Sequence, residues 1–180
     1  PAITTLPLRS KPHLVPLYDQ TSGLLLTDGS FMFYNAQRLE SVILSDTSNI
    51  EIMYYMFSNA DNFNQDLSSW NVSNVGDMNY MFYSASSFNQ NLSVWNLSSL
   101  TQARGIFSGS ALSTAYYSAF LLGISDDSLQ QNVIFEANNI FHSDSVINEK
   151  NHIIETFNWT IKDGGVRPPL ITADEIDKHV

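Results

Sequence analysis

NFNQDLSSWNVSNVGDMNYMF, residues 62–82, and SFNQNLSVWNLSSLTQARGIF, residues 87–107, are two copies of one phrase. The copies lie 25 residues apart and match Phe63 with Phe88, Leu67 with Leu92 and Trp70 with Trp95. Working outward, Met32-Phe33, Met56-Phe57, Met81-Phe82 and the degenerate Ile106-Phe107 recur at spacings of 24, 25 and 25 residues. Ala36, Ala60 and Ala85 follow three residues after each Phe, with Ser110 in the fourth copy. A period of this size is the signature of supersecondary units that bury their apolar faces by stacking on one another.

Inside each unit the pattern changes period. Val75, Met78, Met81, Phe82 and Ala85 fall on one face of a short helix or helical turn. Residues 64–69 alternate, with Leu67 between Asp66 and Ser68, which predicts a short strand. Phe63 and Trp70 bracket it at the corners. The expected fold is therefore an α/β solenoid with a parallel sheet, strands about 4.8 Å apart. Its core is expected to hold Phe63, Leu67, Trp70, Met78, Met81, Phe82, Phe88, Leu92, Trp95 and Phe107. Stacking would also place Asn64 over Asn89 and Gln65 over Gln90 as amide ladders.

The phrase FNQDLSSWNVSNVGDMNYMF resembles the repeat of the BspA-type leucine-rich-repeat surface proteins. The resemblance runs from residue 31 to residue 165, and its last segment ends on Trp159, Ile161, Asp163, Gly164 and Gly165, a W-x-I-x-D-G-G hallmark. The first copy departs from it by lacking the FNQDLSSWN phrase, and the copy at 87–107 has Asn91 where its neighbour has Asp66. The resemblance implies a leucine-rich-repeat array used for adhesion, attachment or surface structure, without catalysis.

The chain divides into a Pro-rich arm (1–30), a repeat body (31–110), a closing α/β module (111–166) and a tail (167–180). Pro1, Pro7, Pro12 and Pro16 suit an extended arm. In the closing module, Thr114 to Leu122 reads as a helix with Ser113 as N-cap and Gly123 as stop. A strand follows from Val133, then a helix that starts at Ser143 or Ser145 and ends near Phe157. A last short strand contains the core residue Trp159, and a turn at Asp163-Gly164-Gly165 follows it. The first copy is unusually apolar at Val42-Ile43-Leu44, and its shortened length leaves open whether Val42 or Ile43 points inward. The arm or a partner subunit is expected to cover that strand.

Net charge is −10, and no cluster of Lys and Arg offsets it, so nucleic acid and anionic membrane are not expected partners. No run reaches the length of a membrane-spanning helix, and residues 1–17 do not read as a signal peptide. Without cysteine, thiolate metal sites and thiol nucleophiles are excluded. His13, His142, His152 and His179 lack ligand spacing, Asp126-Asp127 with Glu136 lacks an EF-hand's pattern, and no phosphate loop or nucleophile elbow is present. Neither a metal, a cofactor nor catalysis is expected. Asn71, Asn91, Asn96 and Asn158 begin Asn-x-Ser/Thr sequons of the kind a chain rich in Asn and Ser produces by chance.

These readings converge on a non-enzymatic structural or attachment protein of a virus particle or microbial surface. Its expected partners are other structural proteins or a host-surface receptor, with self-assembly as a further expectation. The alternative is a glycan-binding adhesin module. The candidate interaction face is Val42, Leu44, Asp66, Ser68, Asn91 and Ser93, with Tyr83 as a neighbouring aromatic.

Overall fold

The computed structural model describes residues 13–14, 26–44, 46–125 and 128–168. Pro1, Pro7, Pro12, Pro16, Asp126, Asp127 and the segment 169–180 lie outside them. Strand β1 (His13–Leu14) pairs in parallel with β2 (Val42–Ile43), so backbone from the arm lies along the apolar strand of the first copy.

The repeats lie one upon another. A parallel bridge column runs through Asp28, Ile52, Asp77 and Gln102. It continues where β3 (Gln102–Ala103) pairs with β4 (Ile134–Ala137), and β4 with β5 (Thr160–Asp163). Gln102 faces Ile134 and Ile134 faces Thr160, so repeat body and closing module share one parallel ladder.

The segments read as a helix and a strand take other forms. After the bridge column each copy forms a ribbon of tight turns. Met56, Ser58 and Ala60 donate their N–H groups three residues back, to Met53, Tyr55 and Phe57. The alternate residues Met53, Tyr55, Phe57 and Asn59 donate instead to Asp77, Asn79, Met81 and Tyr83 of the next copy at 2.8–3.0 Å. A helix would spend nearly every N–H within itself; this ribbon divides them between its own turns and its neighbour. The turns need a left-handed residue every fourth position, supplied by Phe31, Asn35, Tyr55, Asn59, Tyr80, Ser84, Gly105 and Gly109, with φ between 54° and 78°. Such conformations cost non-glycine residues roughly 1–2 kcal/mol each, and the inter-copy hydrogen bonds hold them in place.

Residues 64–69 contain no strand. Ser68 N–H instead bonds Asp66 Oδ1 at 2.8 Å, and Trp70 N–H bonds the Leu67 carbonyl at 3.0 Å, making a corner. Asp46/Ser48, Asn71/Ser73, Asn91/Ser93 and Asn96/Ser98 form the same side-chain turn. Three of the sequons are thus turn chemistry. The amides bond backbone rather than stack only on each other: Asn64 Oδ1 accepts from Asn89 N–H, and Gln65 Oε1 accepts from Val42 N–H.

Like residues still line up in the core. Phe33, Phe57, Phe82 and Phe107 form a stacked column with ring separations of 5.2, 5.7 and 5.9 Å, and Phe63 lies over Phe88 at 6.1 Å, with planes 3° apart. Trp70 packs tilted against Phe57, and Trp95 does the same against Phe82. Trp95 also donates its indole N–H to the Leu67 carbonyl one copy back, at 3.0 Å. Leu67, Met78, Met81, Leu92 and Trp159 are all buried in the same core.

The closing module turns that stack into a finished end. Helix α1 (Thr114–Gly123) starts at Ser113, whose hydroxyl accepts from Tyr116 N–H, and ends where Gly123 presses on the array. A Cβ on Gly123 would stand 2.0 Å from the Ser93 carbonyl oxygen. Only glycine permits that approach. A 3-10 turn (Asp144–Val146) capped by Ser143 leads into α2 (Ile147–Phe157), which stops at Asn158 in the left-handed conformation.

Candidate functional site

Polar and aromatic side chains gather at several places among the described residues. The first is the face named from sequence. Asp66, Ser68 and Asn91, with Gln90, Val94 and Tyr116, line a shallow groove of about 360 Å³ between the repeats and α1. Val94 is 69% exposed and Tyr116 is also open to solvent. Ser68 N–H and hydroxyl groups, bonding Asp66, hold its carboxyl below the usual range; the exposed carboxylate is committed to its turn. Ser93 lies under Gly123 rather than in the open groove. Val42 is buried, so it cannot serve on an interaction face; the neighbouring Ile43 is 48% exposed, and Leu44 is partly buried.

The second place is an aromatic strip that the sequence reading missed except for Tyr83. Phe31, Tyr55 and Tyr80 occupy the first left-handed position of successive copies and stack at 5.3 and 4.7 Å. Tyr34, Tyr54 and Tyr83 flank them with planes turned by 77–82°. Phe31 is 50% exposed, and Tyr34 and Tyr83 are nearly as open. Burial within the cluster, reinforced by the phenols of Tyr54 and Tyr80, pushes the Tyr55 phenol up. The stack ends at Gly105, which occupies the equivalent position and lets the Tyr80 ring lie over its backbone. The available signal was the spacing of Phe31, Tyr55 and Tyr80, which follows the Met-Phe period one residue out of step.

The third place is a buried polar cluster in the closing module. The Asp163 carboxylate accepts from Lys150 Nζ at 2.7 Å, from the Tyr117 hydroxyl at 2.9 Å and from Gly165 N–H at 2.9 Å. Lys150 Nζ also lies 3.2 Å from Nε2 of buried His142, whose Nδ1 is 2.8 Å from the Ser143 carbonyl oxygen. Nδ1–H therefore donates to the carbonyl, and Nε2 accepts from the ammonium. Burial raises the Asp163 carboxyl, but Lys150, Gly165 N–H and Tyr117 outweigh it and hold it below the usual range. Tyr117, wholly buried beside this carboxylate, has its phenol pushed well up. Each group is satisfied by another, and the cluster ties α1, α2 and β5 together. Among the described residues no group of three or more His, Asp or Glu is placed to hold a metal ion, and no helix is long and apolar enough to cross a membrane.

Comparison with curated proteins and with solved structures gives no match. A family model described as a Mycoplasma protein of unknown function, DUF285, matches residues 21–120, which contain the repeat body and the whole aromatic strip. By that match over more than half its length, the chain belongs to the DUF285 family.

Proposed function

We propose that this chain is a non-enzymatic attachment or structural module of a microbial surface or virus particle, built as a short leucine-rich-repeat solenoid of the BspA type. It acts through protein–protein contacts. The observation that carries the reading is the aromatic strip: six aromatic residues on neighbouring copies, three of them 40–50% exposed. Contiguous aromatic surface of this kind is characteristic of interaction sites, where Tyr supplies large contact area at low entropic cost. The buried Tyr117–Asp163–Lys150 cluster supports the non-enzymatic part, since its groups are turned on each other inside the core. The groove beside Asp66, Asn91 and Tyr116 supports a second reading, a glycan-binding adhesin, because amide and carboxylate groups there border an exposed ring.

Binding of labelled protein to cultured animal cells and to bacterial cells tests both readings. Saturable binding that disappears after protease treatment of the cells, and falls by about tenfold in a Tyr34→Ser/Tyr54→Ser/Tyr83→Ser variant with unchanged circular dichroism, is the expected result. Loss on periodate oxidation, combined with sensitivity to Asn91→Ala and Tyr116→Ala instead, would replace it with the glycan reading.

A further inference from the structure

The aromatic strip has an acidic border. Backbone on either side of the inward residues Gly29, Met53 and Met78 alternates, which puts Asp28, Ile52 and Asp77 on the same side as Ser30 and Tyr54, while Asn79, the equivalent residue of the next copy, is buried. Glu51, Ile52, Asn74, Asp77, Thr101 and Gln102 line an open groove of about 550 Å³ along that border. Asp28 accepts a backbone N–H from Ser30, and Asp77 one from Asn79. Among the described residues the ion pairs are Lys150–Asp163 and Lys162–Glu136, and no described Lys or Arg pairs with Asp28, Glu51 or Asp77. Burial pushes the Asp77 carboxyl up, and the charge of Asp28 adds to the push. Among the described residues this edge therefore carries three carboxylates without an ion-pair partner.

The rings complement it. Phe31, Tyr55 and Tyr80 stack on one another, and Tyr34, Tyr54 and Tyr83 stand across that stack, with Tyr34 and Tyr83 open to solvent. The face of a phenol ring is negative and attracts Lys or Arg. At the far end of the strip exposed Arg104 takes the position equivalent to Tyr54 and Asn79 and marks where the surface stops. A chain of net charge −10 adds long-range attraction for a cationic partner.

We infer that the strip and its carboxylate edge form a docking surface for a basic segment of a partner protein, with Arg or Lys side chains laid across Tyr34, Tyr54 and Tyr83 and paired with Asp28, Glu51 and Asp77. This rests on the reading of the strip as the attachment face. A polyanion is repelled there.

Fluorescence anisotropy with a labelled (Arg-Gly)6 peptide tests the inference, with (Glu-Gly)6 and a labelled neutral cello-oligosaccharide as parallel probes. The Arg peptide alone should bind saturably, and more weakly as salt rises. Glu51→Gln/Asp77→Asn should weaken it by about tenfold, as should Tyr34→Ser/Tyr54→Ser/Tyr83→Ser. Tyr83→Ser alone, the mildest change, should weaken it by about threefold. Asp144→Asn/Glu155→Gln, two exposed carboxylates of the closing module, should change it by less than about twofold. Equal loss in that control would overturn the inference as mere net charge. Dependence on the tyrosines without dependence on the carboxylates, or preference for the sugar, would also overturn it while leaving the strip as the contact face. Indifference of every probe to the tyrosines would remove both.

Discussion

Asp163 receives three donors at once and is nearly closed to solvent, its side chain 3% exposed against 16% for Lys150. Removing one member of such a buried pair strands the other, which costs about 3–5 kcal/mol. Asp163→Asn should therefore lower the denaturant-derived stability by that amount at pH 7, and Lys150→Met should restore part of it in the double variant. The pH dependence follows from the sign of the shift. The folded carboxyl lies below its unfolded value, so its stabilisation is complete above about pH 4 and lost as pH falls through the lower folded value. The stability gap between wild type and Asp163→Asn should be constant near neutrality and narrow below about pH 4. A gap that stays constant to pH 2 would mean that the carboxylate does not exchange its proton with folding. The D-G-G ending was visible in sequence as a turn, but its partners were not: Tyr117 and Lys150 stand 46 and 13 residues away, and no local pattern links them.

At the scale of the element, the misreading of 75–85 as helical has a definite cause. Inward residues at i, i+3, i+4 and i+7, such as Met53, Met56, Phe57 and Ala60, satisfy a helix stripe and equally a ribbon of tight turns. Hydrophobic spacing alone does not separate the two. The separating fact is the left-handed residue every fourth position, and Phe31, Tyr55 and Tyr80 hide it because aromatic residues seldom adopt that conformation. Gly105 is the one copy at that position that declares it openly. The corner at 64–69 misled differently: the alternation of Asp66, Leu67 and Ser68 arises from a side-chain turn around one buried leucine. The Phe and Trp positions were legible because burial needs only the right residue once per copy. Gly105 gives the element-scale prediction. Its φ is +62°, and an added Cβ would lie 2.5 Å from Tyr80 Cδ1. Gly105→Ala should cost about 1–2 kcal/mol from the backbone conformation, and more if the Tyr80 ring cannot swing aside. Repeating it in a Tyr80→Ser background should leave the backbone part alone. An identical cost in both backgrounds, measured by denaturant midpoint, would show that the ring contact contributes nothing.

For the whole molecule, what matters is that every copy meets its neighbours through the same set of bonds. The bridge column passes from Asp28 through Ile52, Asp77 and Gln102 into Ile134 and Thr160 without changing direction. The Phe33–Phe57–Phe82–Phe107 column ends against Phe120 and Phe135 of the closing module. Stability in such a stack is close to a sum of copies and interfaces, so one interior copy is dispensable in a way that a segment of a globular core is not. Excision of residues 62–86 joins Asp61 to Ser87, and Ser87 then stands where Asn62 stood. The shortened chain should fold, with one cooperative transition, a lower melting temperature and a denaturant m-value reduced in proportion to the surface removed. It should also lose Tyr80 and Tyr83 together and bring Gly105 beside Tyr55, cutting the aromatic strip to Phe31, Tyr34, Tyr54 and Tyr55. A folded but weakly binding product would separate the scaffold from the surface it displays. An unfolded one would show that the end module recognises a particular copy rather than the repeated geometry.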